Sequence, residues 1–288
     1  MDRITERKTR IERRRVELIA RYPEILENII TEWQQPGPDN RAWLMYSANY
    51  LFRTGGIRWA LDPLTLTSRL GIPGRVDLIA RLKDLSFVLL SHRHTDHLDF
   101  ELITTLRDAP IQWIIPEFMQ AEVLAQTGLT RKQIRTPQAL QEIVLDGIHI
   151  LPFPGGHWER LSDGRMKGVP SMGYRITIGD QRWLLAGDTR TYDAKQLADL
   201  GPVEGSFAHI WLGRASALDE NPPLLEDFCR FHLAFLPRRI ILTHLEEVGR
   251  EPAEYWDDRH VKMVADRLEG LSPGIQTGAA KIGESIWL

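Results

Sequence analysis

Apolar positions recur along the chain at two different periods, and the change of period separates two regions. From Asp2 to Trp33 there is no glycine and one proline, Pro23, and the stretch is rich in Glu, Arg, Ile and Leu, a helical composition. Ile4, Ile11, Leu18 and Ile25 repeat every seven residues. The positions four further on are Lys8, Arg15, Tyr22 and Ile29, so the stripe is half polar at first and firmly apolar only from Leu18. The pattern predicts a charged helical arm over residues 1–37 that docks through its later turns, and Pro36-Gly37-Pro38 marks its end.

Over residues 38–288 short β-rich runs alternate with helical ones, which predicts a single α/β domain. Strands are expected at 43–52, 59–61, 87–90, 112–115, 148–153, 173–178, 182–186, 208–212, 239–242 and 285–288. Helices are expected at 76–83, 100–107, 117–126, 194–200, 224–235 and 254–268, and Gly179-Asp180 reads as a tight hairpin.

Composition narrows the function. The 288 residues carry a net charge of −3 and are 43% apolar, enough to fill a sizeable core. A dedicated nucleic-acid binder would carry a basic excess. The longest apolar run, Ala42 to Tyr46, is five residues, far short of a membrane span. With no apolar secretory segment at the start and a single cysteine, Cys229, a cytoplasmic protein is expected. Up to Arg21 the arm has eight basic and four acidic residues, which suits weak contact with an anionic membrane surface. The favoured reading is a solvated helix packing on the domain or on a second copy of the chain.

The chemistry is concentrated after the apolar run Phe87-Val88-Leu89-Leu90, in Ser91-His92-Arg93-His94-Thr95-Asp96-His97. With nine His and 19 Asp, chance placement of this His-x-His-x-Asp-His pattern has an expectation on the order of one in two thousand. In extended backbone, residues two apart point to one side, so His92 and His94 can grip one ion while Asp96 and His97 reach another. Three further candidates, His157, Asp188 and His244, each follow a predicted strand. Seven such ligands exceed one tetrahedral site and suit two ions, with Asp188 the natural bridge because a carboxylate has two oxygens. All-His/Asp ligation suits zinc, manganese or iron.

On these residues the chain resembles the metallo-β-lactamase superfamily from about Trp43 onward. The resemblance implies two mixed β-sheets face to face between outer helices, an αββα sandwich with the metals at the sheet edge. It implies that His92, His94 and His157 hold the first ion and Asp96, His97 and His244 the second, with Asp188 bridging and Asp62 orienting a ligand. An acidic bridge resembles the lactonases, phosphodiesterases and thioesterases more than the true β-lactamases, and His94 stands where oxygen-reducing di-iron relatives have Glu. The segments Ser91 to Asp99 and His157-Trp158 resemble the branch containing ascorbate 6-phosphate lactonase and the N-acyl-phosphatidylethanolamine-hydrolysing phospholipase D.

Such a pair of ions lowers the pKa of a shared water, giving a bridging hydroxide as nucleophile. Asp96, able to hydrogen-bond that water, is the expected proton-handling residue. Trp158, Arg190 and Arg214 are candidate contacts to a small anionic substrate, with Arg93 a further candidate cation. Ser91 reads as structural, and His149, His209, His232 and His260 as packing or surface residues. Gly155-Gly156 is expected to turn the backbone toward the metals. The expected function is hydrolysis of an ester-type bond, a phosphodiester foremost and a lactone next. The reading from a different class is a non-catalytic metal-binding protein, against which the complete ligand set argues.

Overall fold

A computed structural model describes residues 3–66, 76–160 and 166–288. The chain opens with helix α1 (Arg3–Gln34) and continues through β1 (Arg41–Leu44), β2 (Tyr50–Thr54), β3 (Ile57–Leu61), α2 (Val76–Ala80), β4 (Phe87–Leu89), α3 (Phe100–Leu106), β5 (Gln112–Ile114), α4 (Glu117–Thr127) and β6 (Ile134–Arg135). It continues with β7 (Ile143–Leu145), β8 (Ile148–Arg160), β9 (Met166–Ile178), β10 (Gln181–Leu185), β11 (Gly205–His209), α5 (Leu225–Leu233), β12 (Arg239–Thr243), α6 (Asp258–Leu271), β13 (Gln276–Ala279) and β14 (Ser285–Trp287). The strands form two mixed seven-stranded sheets, ordered β14-β1-β2-β3-β4-β5-β6 and β13-β12-β11-β10-β9-β8-β7.

Period-two alternation sorts the side chains into layers. In β4, Phe87 and Leu89 face the second sheet while Val88 packs outward under the helices. In β12, Ile241 points between the sheets while Ile240 and Leu242 meet α5 and α6. Each central strand is therefore buried on both faces, which is why it reads as a continuous apolar run. α1 covers the outer face of the first sheet: Leu18, Tyr22, Leu26, Ile29 and Trp33 join one core with Trp43, Leu51 and Val88.

Several expectations change in detail. The run 43–52 is two strands, because Met45 N donates to Asn49 O at 2.8 Å and closes a turn there. Strands 148–153 and 173–178 extend into the long ribbon β8–β9, paired as far as Arg160 and Met166. The helix expected from 254 starts at Asp258, capped by Asp257. Gly155 and Gly156 do not turn the chain; they lie inside the β8 ladder opposite Ser171 and Pro170.

Candidate metal centre

The candidate residues gather at one edge of the sandwich, where β3, β4, β10, β11 and β12 deliver them at or just past their carboxyl ends, and β8 adds His157. Asp62 follows β3 and His244 follows β12, and both adopt left-handed backbone, with φ of 45° and 65°. Such conformations are uncommon for these side chains and concentrate at functional sites. They are held by Asp62 N donating to Leu89 O and His244 N donating to Ser47 O. Gly187, with φ of 63°, turns the chain so that Asp188 faces the same point.

Two groups result. One contains His92, His94 and His157, and the other Asp96, His97, Asp188 and His244; within each, the candidate ligand atoms lie within 4.8 Å of one another. Asp188 stands between them. Its Oδ1 is 3.5 Å from His97 Nε2, and its Oδ2 is 3.4 Å from His244 Nε2 and 3.7 Å from His157 Nε2.

Supporting contacts fix these side chains. Asp62 accepts from Ser91 N at 2.7 Å, from the Ser91 hydroxyl, and from His97 Nδ1 at 2.8 Å. Asn49 Nδ2 donates to the carbonyls of Asp62 and Asp96. His209, expected to be a packing residue, instead donates from Nδ1 to Asp188 Oδ1 at 2.9 Å. Its Nε2 lies 3.1 Å from the Tyr50 hydroxyl, itself 2.7 Å from Thr243 Oγ1. Burial keeps the Tyr50 phenol protonated and His209 neutral. The relay therefore runs from Thr243 through Tyr50 and His209 to the carboxylate.

Arg190 donates from Nη2 to Asp188 Oδ2 at 2.9 Å, and from Nε to His157 Nδ1 at 3.2 Å. Its guanidinium lies over the Trp211 ring. A cavity of about 160 Å³ opens over both groups, with Arg190, Trp211, Arg214, Glu247, Arg250 and Trp256 in its wall. Arg250 joins Glu247, at 2.7 Å, to Asp96 Oδ2, at 3.3 Å. Arg93 is exposed outside the cavity lining. The Trp158 side chain lies outside the described residues. His149 is exposed, and His232 and His260 are buried away from the centre, as expected.

A family model for a β-lactamase superfamily domain matches residues 61–245. The chain belongs to the metallo-β-lactamase superfamily. Solved structures of this superfamily's fold include Igni18, a metallo hydrolase from the archaeon Ignicoccus hospitalis, at 17% identity and a TM-score of 0.62, covering 86% of this chain and 98% of that one. An isothiocyanate hydrolase from Delia radicum gut bacteria is 20% identical with a TM-score of 0.60, covering 86% and 98%. CmlA, a diiron β-hydroxylase from Streptomyces venezuelae, is 17% identical with a TM-score of 0.59, and the match covers 88% of this chain and 55% of CmlA. No protein of curated function matches the sequence.

Metallo-β-lactamase-fold proteins bind divalent metals, and the residues here fit such ions. His97 Nε2 and both ring nitrogens of His244 are buried without a hydrogen-bond partner, a costly arrangement unless a cation takes the lone pairs. Burial drives the pKa of His92, His94 and His157 down, the last to about 2, so all three present neutral imidazoles. Burial alone would push the Asp188 pKa up, but His244, Arg190 and His97 outweigh it and keep the carboxylate charged.

Proposed function

We propose that the protein is a metal-dependent hydrolase that cleaves an ester-type bond in a small anionic substrate, a phosphodiester foremost and a lactone next. The observation that carries this reading is that Asp188 stands between two groups of candidate ligands under a cavity that Arg190 and Arg214 also line. His92, His94 and His157 would hold one cation, and Asp96, His97 and His244 the other, with Asp188 shared between them. Zinc and manganese both suit this nitrogen and oxygen donor set, iron as well, and no thiolate selects among them. Two such cations supply an activated water at neutral pH and polarise the oxygen under attack.

The chain's own residues do the rest. Asp96, aligned by Arg250, takes the proton released at the attacking water. Arg190, in the cavity wall, and Arg214, an exposed cation, hold the anion by charge-assisted bonds. Trp211 and Trp256 shield the reacting bond from bulk water. The resemblance of Ser91 to Asp99 to the ascorbate 6-phosphate lactonase branch supports the lactone reading, in which the same arginines would hold a phosphate.

The test is hydrolysis of bis(p-nitrophenyl) phosphate, a lactone panel and an isothiocyanate by protein loaded with zinc or manganese. An isothiocyanate, the substrate class named for the Delia radicum gut-bacterial relative, carries no charge for Arg214 to hold. Phosphodiester turnover with a KM that rises about tenfold in Arg214→Ala is expected, one charged hydrogen bond being worth about that much. Turnover of the neutral substrate alone would overturn the anionic class. Silence on all three with two metals bound would favour the non-catalytic alternative.

A further inference from the structure

The loop over residues 244–257, between β12 and α6, contributes much of the cavity wall through Glu247, Arg250, Glu254 and Trp256, yet its only regular structure is the 3-10 turn Pro252–Glu254. A loop of this length without strand or helix needs outside support to hold a fixed shape. Within it, Glu246 N donates to Trp256 O at 2.9 Å, and from the core side Ala217 N donates to Ala253 O. Val248 N also donates to the Tyr46 hydroxyl and Ala215 N to Glu254 Oε1 at 2.8 Å, and further support comes from the opposite end of the chain.

Three arginines on α1, Arg7, Arg10 and Arg14, lie three and four residues apart and so share one helix face. Arg7 is buried, donates from Nε to Pro252 O at 3.1 Å and from Nη2 to Tyr255 O, and pairs with Asp257 at 3.3 Å. Arg10 also reaches Asp257, and Arg14 donates from Nε to Glu246 Oε2 at 2.9 Å. The loop residues alternate: Glu246, Tyr255 and Asp257 face α1, while Glu247, Glu254 and Trp256 face the cavity. At Tyr255 and Asp257 the backbone is extended, so a pin on these two outer residues fixes Trp256 between them, while Glu246, with φ of 53°, turns the chain toward Glu247.

We propose that α1 is a brace for the active-site wall, with Arg7 its principal positioning residue. Magnitudes single out Arg7. The Arg10 side chain is 60% exposed and that of Arg14 34% exposed, and ion pairs this open contribute little. Arg7 instead satisfies the carbonyls of Pro252 and Tyr255 out of water, so losing it strands both at once, while Asp257 keeps Arg10 and the amide of Arg259. Its buried donors also mean that part of the arm's basic charge is spent on the wall and not on an outside surface. Through Arg250, which bonds Glu247 and Asp96, the brace reaches the metal centre itself.

Only the kinetic consequence of this inference rests on the hydrolase reading; the structural one does not. The experiment is hydrogen–deuterium exchange on the full-length wild type, Arg7→Met and Arg7→Lys, beside metal content and steady-state kinetics on whichever ester is turned over. In Arg7→Met, amides over 246–257 should exchange about tenfold faster, the equivalent of one lost charged hydrogen bond, with metal content unchanged. KM should rise about tenfold while kcat changes less than about threefold, the pattern of lost binding geometry, and Arg7→Lys should recover part of both. Wild-type exchange over 246–257 in Arg7→Met, or faster exchange there with a wild-type KM, would overturn the proposal. If the wild type hydrolyses nothing, the hydrolase reading fails while the exchange comparison still decides the brace. Should Arg7→Met not fold, Arg14→Gln carries the same readouts, with an exchange increase of about twofold, the scale of an exposed pair.

Discussion

Asp62 accepts from His97 Nδ1 at 2.8 Å, and that bond decides which way the imidazole faces. With Nδ1 engaged, Nε2 is aimed at Asp188 Oδ1, 3.5 Å away, and has no hydrogen-bond partner. Burial opposes charge on His97, yet Asp188 and Asp62 outweigh it and hold its pKa well above the usual value, so protons and cations compete for the ring. Asp62→Ala should weaken metal binding at the second group about 10–100-fold, the scale for losing a partner that orients a ligand. Competition against a chromophoric chelator measures this; an unchanged affinity would show that His97 needs no orienting partner.

Asp188 carries the charge that both ligand groups share. Adding zinc or manganese to the wild-type protein should raise its melting temperature, because the ion binds the folded chain alone; at a hundredfold excess over Kd the gain is about 2.7 kcal/mol. For a chain of this size that corresponds to roughly 4–5 °C, and a chelator should reverse it. Asp188→Asn should lose this rise and reduce hydrolysis about a thousandfold, a transition-state loss of several kcal/mol. Scanning fluorimetry beside the rate assay gives both numbers, and a variant still stabilised by metal would remove Asp188 from the centre.

What the sequence made visible depended on locality. His92 to His97 stand out because four donors fall within six residues, and His157, Asp188 and His244 because each follows an apolar run. His209 has no such mark: Ala208-His209-Ile210 reads as a core strand, and its place beside Asp188 arises from parallel pairing of β11 between β10 and β12. Glu247, Arg250 and Arg7 were illegible for the same reason, since Arg7 meets its partners across some 245 residues of chain. The role of Asn49, in the turn between β1 and β2, is also non-local, as its side chain is tied to the backbone of Asp62 and Asp96. The interleaved apolar runs, by contrast, did announce alternating strands and helices, with the outer position of the helices implied by the family resemblance, and Pro36-Gly37-Pro38 announced the end of α1.

Gly156 tests how closely the Asp188 loop approaches β8. Its carbonyl accepts from Arg190 N at 2.8 Å, and a Cβ built on it would lie 2.7 Å from Thr191 Cγ2. Gly156→Ala should therefore push the segment carrying Asp188 and Arg190 outward. The expected cost is about 1–3 kcal/mol of stability, with weaker metal binding alongside. Denaturant unfolding and a metal titration report the two effects; wild-type values in both would mean that Thr191 gives way freely.

Acid should unfold the protein partly through His232, which is not among the candidate metal ligands and is closed off in the core. Its Nδ1 lies 2.8 Å from Ser206 Oγ, and burial, helped by His209, pushes its pKa down to about 3. In the unfolded chain the same ring titrates near 6.5, so the unfolded state binds the extra proton between those values. The stability this neutral histidine contributes is complete above about pH 6.5 and is lost progressively as the pH falls toward 3. At pH 5 the loss is on the order of 2 kcal/mol. His232→Gln keeps a polar partner for Ser206 but does not titrate. Urea unfolding of chelator-treated protein at pH 7 and pH 5 should show the wild type losing about 2 kcal/mol more than this variant. Parallel losses in the two proteins would place the acid sensitivity on other groups, the metal-facing histidines first among them.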